Sequence, residues 1–252
     1  MEKISALIIS YNEEKKIGKC LQSLKALADE IVVVDSFSTD GTAQIVKNMG
    51  GRFLQHEFEG YIEQKNYALA QASYDLVLSL DADEVLSEPL KQSILKVKEQ
   101  ANFAGYSMNR LTFLEGKAVQ CCGWYPDSKL RLFRRSKGQW TGLNPHDEFR
   151  FRQKTTLGHL NGDLLHYSFD SKADLIRQTE KFARLSASSY FEEKKNLFPA
   201  IRFLSPAFRF VRDYFLKGGI WVGKTGWLVA WTNAKGTFLK YKYLQELKRV
   251  NK

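Results

Sequence analysis

Three short apolar runs near the start of the chain, Ile4–Ser10, Glu30–Asp35 and Leu76–Leu80, are each followed by polar or acidic residues and separated by helical patterns. The second run is rich in β-branched residues, of the kind buried on both faces of a sheet. Between the first two, Ile17, Leu21, Leu24 and Ala28 recur at helical spacing, predicting a helix over 13–28. Ser38-Thr39-Asp40-Gly41-Thr42 supplies turn and N-cap chemistry for a helix over 40–49. A strand near 52–56 and a helix over 61–73 lead to the third run. This alternation predicts right-handed crossovers and an α/β fold with a mostly parallel central sheet flanked by helices. After a helix near 88–101 the pattern changes: Gly105–Phe113 and Lys129–Arg135 read as antiparallel or mixed strands. A polar helix follows over 171–194, with Leu175, Phe182, Ala183 and Leu185 on or near one face.

Parallel strands deliver their ends to one sheet edge, where open α/β sheets bind ligands. Here those ends are Tyr11-Asn12-Glu13, the segment from Asp35 to Thr42, and Asp81-Ala82-Asp83-Glu84. Two carboxylates two residues apart repel unless a cation or a hydrogen-bond donor compensates them, and hard oxygen ligands beside a diphosphate suit Mg2+ or Mn2+. A polar turn is the plain alternative for Asp81–Glu84, and ordinary turn chemistry for Tyr11 and Asn12. Taken together, the three ends read as a nucleotide pocket, in which Asp35 can accept from a base or ribose hydroxyl and Tyr11 can wall the base. No glycine-rich dinucleotide or P-loop motif occurs, which argues against nicotinamide cofactors and P-loop nucleotides.

Leu7-Ile-Ile-Ser-Tyr-Asn-Glu-Glu14, Ile31-Val-Val-Val-Asp-Ser-Phe-Ser-Thr-Asp-Gly-Thr42, Gly60-Tyr-Ile-Glu-Gln-Lys-Asn-Tyr-Ala-Leu69 and Leu78-Ser-Leu-Asp-Ala-Asp-Glu84 together resemble family 2 glycosyltransferases of the GT-A nucleotide-sugar-binding fold. The resemblance implies that Tyr11, Asn12, Glu13 and Asp35 line the donor site. It also implies that Asp81 binds near the ribose and diphosphate, and that Asp83 ligates a divalent metal. Lys65 stands where the family often has Arg; it keeps the charge but lacks the bidentate fork. Gly123-Trp-Tyr-Pro-Asp127, Lys129–Arg135, Trp140 with Pro145-His-Asp-Glu148, and His166-Tyr-Ser-Phe169 are similar to the lipopolysaccharide-core glucosyltransferase branch.

That branch implies inversion by a single in-line displacement, with a carboxylate taking the acceptor proton and a metal stabilising the diphosphate. Asp147 is the first choice of base and Glu148 the alternative; a capping role for His146-Asp147-Glu148 is the plain reading. His166 either completes the metal shell or is structural, and His146 orients its loop. Arg131, Arg134 and Arg135 either meet phosphates or an acidic acceptor, or form a solvated strand edge. The expected activity moves a hexose, glucose from UDP-glucose, to a lipid-linked saccharide such as lipopolysaccharide core. The alternatives are transfer to polyprenyl phosphate and a non-catalytic basic lipid- or RNA-binding module.

The net charge of +10 is unevenly placed. From Leu197 to Lys252 there are eleven Lys/Arg against two Asp/Glu, whereas residues 1–196 carry 27 against 26. A charge confined to the tail argues against a nucleic-acid groove. Its interleaved aromatics, from Phe198 to Trp231, fit either a helical lid or a monotopic membrane contact in which Arg202, Arg209, Arg212, Lys217 and Lys224 meet anionic lipid. The expected division is a catalytic domain over 1–196, with a nucleotide-binding half at 1–100 and an acceptor half at 101–196, followed by a basic amphipathic extension at 197–252. Met1-Glu2-Lys3 runs directly into a strand, without a secretory pattern, and no apolar stretch reaches spanning length. Cys20, Cys121 and Cys122 suggest a reducing compartment rather than a disulfide framework. The implied location is cytoplasmic, peripheral on the inner face of the cytoplasmic membrane.

Overall fold

The computed structural model describes residues 1–144, 146–193 and 200–250, with only the backbone of His146. Pro145, Phe198, Pro199, the His146 side chain and the expected boundary at 196/197 lie outside the described residues. The chain forms two compact units. The first comprises Met1–Leu111, Asp127–Gly142 and His146–Ser168.

In the first unit the alternation becomes β1 (Ile4–Ser10), α1 (Ile17–Leu24), β2 (Glu30–Asp35), α2 (Thr42–Asn48), β3 (Arg52–Gln55), α3 (Tyr61–Ala70), β4 (Leu76–Asp81), β5 (Glu84–Leu86) and α4 (Glu88–Glu99). β6 (Gly105–Leu114) follows, and a short β7 (Lys117–Ala118) pairs with its end. The remaining strands are β8 (Asp127–Arg134), β9 (Gly138–Leu143), β10 (His146–Phe151) and β11 (Gly158–Phe169). The sheet order is β3-β2-β1-β4-β8-β6-β11-β5, and β9 pairs with β10 in a separate ribbon. Pairing is parallel from β3 to β4 and antiparallel for β4–β8, β8–β6 and β11–β5, so the sheet is mixed beyond its parallel half.

Period-two burial explains why the helices lie on both faces. Ile4, Ala6 and Ile8 of β1 and Leu76, Leu78 and Leu80 of β4 enter one core, with Ile17, Leu21 and Leu24 of α1 and Leu90 and Ile94 of α4. The intervening Leu7 and Val77 enter the other, with Val32 and Val34 of β2, Ala68 and Leu69 of α3, and Phe133, Trp140 and Phe149. α1 is shorter than the periodicity suggests. The turn before it is tightened by three-residue bonds, Lys16 N to Glu13 O and Lys19 N to Lys16 O. β9, β10 and β11 were not evident from the pattern. In β11 the alternation is interrupted at Gly162, whose φ is +96° and where a Cβ would stand 2.3 Å from the backbone nitrogen of Leu90.

The second unit comprises Thr112–Pro126, Leu143–Pro145 and Phe169–Lys252. Its helices are α5 (Lys172–Glu192), α6 (Ile201–Val211) and α7 (Gly223–Val250). A π-helical turn at Arg212–Leu216 and a 3-10 turn at Gly219–Val222 lie between α6 and α7. Ser171 caps α5 by accepting from Asp174 N at 3.1 Å. Leu175, Ala183 and Ala187 form its buried face, but Phe182, expected near them, is exposed. Leu114, Val119, Cys121, Cys122, Val229 and Ala230 complete this unit's core together with Leu175. The three cysteines are free and buried.

Leu78 is fully buried at the centre of β4. Leu78→Ala is expected to lower stability by about 2–5 kcal/mol through lost burial and a residual cavity, read as a lower denaturant midpoint at unchanged m-value.

Candidate active site

The parallel register brings the predicted strand ends together: Ser10 pairs with Asp35 across β1–β2, and Ile9 with Asp81 across β1–β4. Asp35 is fully buried. Its Oδ2 accepts from the hydroxyls of Ser10 at 2.8 Å and Ser38 at 2.5 Å, and its Oδ1 accepts from Ser38 N at 2.7 Å. The carboxylate therefore shapes the loop after β2. Asn12, at φ +54°, clamps the same loop from the β1 side. Its N–H donates to Ser38 Oγ at 2.7 Å, and its Oδ1 accepts from Thr39 N at 2.8 Å. Asn tolerates this left-handed conformation better than most residues. Glu13 N donates to Thr42 Oγ1 at 2.9 Å, while Tyr11 stands exposed at the rim.

Three successive residues of α3 tie this loop to the later parts of the site. Gln64, buried, donates to Ser36 Oγ at 3.1 Å and meets His56 Nδ1 at 2.9 Å. Asn66 brackets β9, its amide donating to Trp140 O at 2.9 Å and its Oδ1 accepting from Trp140 N at 3.0 Å. Between them, Lys65 is only 5 % exposed. Its ammonium lies 2.7 Å from Asp147 Oδ2, 3.4 Å from Asp81 Oδ1 and 4.7 Å from the centre of the Trp140 ring.

Strand alternation separates the two candidate bases. Asp147 of β10 turns inward onto Lys65, whereas Glu148 is exposed and paired with Arg150, its Oε1 accepting from Nε at 2.6 Å. Glu148 is thus not among the residues that the structure brings together.

Arg131 of β8 was an open alternative in the sequence, and it proves to be buried in the site. Its Nη2 lies 2.8 Å from Asp81 Oδ2 and 2.6 Å from Glu84 Oε1. Arg134 and Arg135 lie elsewhere: Arg134 pairs with Glu2 and Asp75, and Arg135 reaches Leu69 O. Burial alone raises the Asp81 carboxyl, but the charges of Lys65 and then Arg131 override it and hold the group well below the usual carboxylate range. Glu84, fully buried, also accepts from Asp81 N at 3.0 Å and closes the turn.

Asp83 sits in that turn, and the β5–β11 pairing places His166 opposite Glu84. His166 Nε2 is 3.3 Å from Asp83 Oδ2, and Tyr167 N donates to Asp83 O at 2.9 Å. Burial raises the Asp83 carboxyl, and the charge and hydrogen bond of His166 more than reverse that shift. Tyr61, the first residue of α3, is a neighbour that the motifs did not single out. Its phenol is pushed up by burial and then by the charges of Asp81, Asp147 and Asp83, which marks all three carboxylates as its surroundings. Neither Tyr61 nor Glu84 carries a sequence signal beyond lying inside a matched motif.

Residues 5–157 match the family described as Glycosyl transferase family 2. The lipopolysaccharide core biosynthesis glycosyltransferase LpsC of Rhizobium meliloti is 33 % identical over 249 residues, covering 94 % of this chain and 89 % of LpsC. An uncharacterised glycosyltransferase of Rickettsia typhi is 27 % identical, covering 98 % and 88 %. Among solved structures, a mannosyltransferase from Pyrobaculum calidifontis in complex with GDP-Man and Mn2+ aligns with a TM-score of 0.58 at 16 % identity, covering 97 % of this chain and 87 % of that one. That likeness supports the shared GT-A architecture. With the family match covering the strand-end pocket and the relative spanning both units, the chain belongs to glycosyl transferase family 2 as an enzyme of the GT-A fold.

Proposed function

We propose that this enzyme is a metal-dependent inverting hexosyltransferase. In this reading it takes glucose from UDP-glucose and passes it to a lipid-linked saccharide such as lipopolysaccharide core, at the cytoplasmic face of the membrane. The observation that carries the reading is the inward placement of Asp147 beside the donor-side Asp81, both on Lys65. The similarity to LpsC over nearly the whole chain supports the acceptor class.

Tyr11, Asn12, Glu13 and the Asp35-anchored loop form the nucleoside end. Asp81 and Lys65 face the ribose and diphosphate. Lys65 holds Asp147 Oδ2, which leaves Oδ1 to take the proton from the acceptor hydroxyl as its oxygen attacks the anomeric carbon from the side opposite the diphosphate. Asp83 has the hard carboxylate that suits a Mg2+ or Mn2+ ion, and the imidazole of His166 in reach of it is better matched to Mn2+ than to Mg2+. Among the described residues no group of three His, Cys, Asp or Glu could hold a metal by itself. A two-residue set agrees with an ion that shares its shell with donor phosphates. When bound, the ion supplies positive charge against the departing diphosphate.

Product analysis after incubation with separate nucleotide sugars and a purified core acceptor, with and without Mn2+, tests the reading. Transfer from UDP-glucose that chelation abolishes is expected. Transfer that survives chelation, or an Asp83→Ala variant with full activity, would contradict the metal role. Lys65→Met leaves two carboxylates without their shared cation and is expected to cost about 3 kcal/mol of stability, with transfer lost as well. Lys65→Arg, which restores the charge, should recover most of the stability in a denaturant titration.

A further inference from the structure

α6 shows the reverse of ordinary amphipathicity. Phe203, Leu204, Ala207, Phe208, Val211 and, beyond the helix end, Phe215 recur at helical spacing, and all are exposed. On the opposite side of α6 the residues are less exposed. Pro206 is buried and Arg202 bonds to Gln245 at 2.7 Å. The stripe continues into the turns that follow, where Leu216 is exposed and Trp221 reaches 87 % exposure. Lys224, Trp227 and Trp231 extend it along an exposed face of α7. Trp227 packs edge-on against Phe210 and Tyr214, at 4.9 Å and 5.5 Å between ring centres, so the two helices present adjoining faces. A contiguous apolar face of this kind marks an interaction surface.

Charge decides between occupants. From Ala200 to Ala234 the chain has five basic residues and one acid, Asp213. That acid is fully buried beneath the patch. It accepts from Arg209 Nε at 3.0 Å, Arg212 Nε at 2.9 Å and Asn233 Nδ2 at 2.8 Å. The two guanidiniums, expected to meet anionic lipid, are anchored from below on this acid and remain partly exposed at the rim. A second copy brought face to face by a two-fold axis would set these cations against their own equivalents. An anionic bilayer offers phosphates to the rim, acyl chains to the stripe, and a headgroup zone that suits the tryptophans.

We infer that α6, the turns after it and the first half of α7 form an in-plane lipid anchor. α6 lies along the headgroup boundary with Leu204 and Phe208 toward the acyl chains, and Trp221 enters beside them. No helix among the described residues is long and apolar enough to cross a membrane, so the contact is monotopic. The inference rests on the membrane-face reading above and adds the surface that makes the contact.

The test uses the full chain and the Leu204→Glu/Phe208→Glu double variant. Both are sedimented with phosphatidylcholine vesicles, with or without phosphatidylglycerol, and UDP-glucose hydrolysis is followed in parallel without vesicles. The full chain is expected to bind the anionic vesicles. The variant, with unchanged thermal melting and hydrolysis, should bind them at least about tenfold more weakly, because two large apolar contacts are lost. Quenching of tryptophan emission by brominated acyl chains should fall in Trp221→Phe. Equal vesicle binding by the full chain and the double variant would overturn the anchor while leaving the membrane-face reading intact. Absence of vesicle binding by the full chain would overturn both. A full chain that is dimeric in sedimentation and a variant that is monomeric, neither binding vesicles, would assign the face to a second copy.

Discussion

A buried lysine between two carboxylates organises the candidate active site of this molecule. Lys65 touches Asp81, which ends a central parallel strand, and Asp147, which lies on a ribbon much later in sequence. An ammonium this far from water needs carboxylates close by, and Asp81 and Asp147 supply them and are in turn held in place by it. Its neighbours Gln64 and Asn66 tie down the β2 loop and β9 from the same helix. One turn of α3 thus sets the β2 loop, the strand end and the candidate base relative to one another.

The second cation, Arg131, completes the balance. With Lys65 it sets positive charge against a cluster that includes the half-buried Asp81 and the buried Glu84, two acids within one turn. The structural consequence is a division of labour inside Asp81-Ala-Asp-Glu. Glu84 is committed to internal cations, Asp81 is held by them yet partly exposed toward the proposed donor side, and Asp83 faces His166. A motif that reads as a single acidic unit is therefore half scaffold.

The parallel half of the fold was legible because both of its periodicities are clean. β1, β2 and β4 alternate between two cores, and helices of ordinary length separate them. The strand-end residues were legible for the same reason, since parallel register carries Ser10, Asp35 and Asp81 to one edge. What lay hidden depended on long-range pairing. β11 carries His166, but its partner β5 is short and distant in sequence, and Gly162 breaks the pattern of β11; β10 carries Asp147 and pairs locally with β9, yet only the bonds of Asn66 and Lys65 on α3 bring that ribbon to the site. Arg131 could be seen as a cation near the site, yet only the β4–β8 pairing reveals that it is buried against Asp81. Asp147 and Glu148 were indistinguishable as residue types; the pleat of β10 separates them. In the second unit, composition indicated a basic aromatic segment, whereas the outward direction of the apolar stripe on α6 required coordinates.

In the proposed mechanism Lys65 presents Asp147, and not its neighbour, to the acceptor. Single-turnover transfer by Asp147→Asn and Glu148→Gln, measured beside UDP affinity, addresses it most directly. The expected result is a loss of at least about a hundredfold for Asp147→Asn with UDP affinity retained, and little change for Glu148→Gln. Full transfer by Asp147→Asn, or a comparable loss in Glu148→Gln alone, would contradict it.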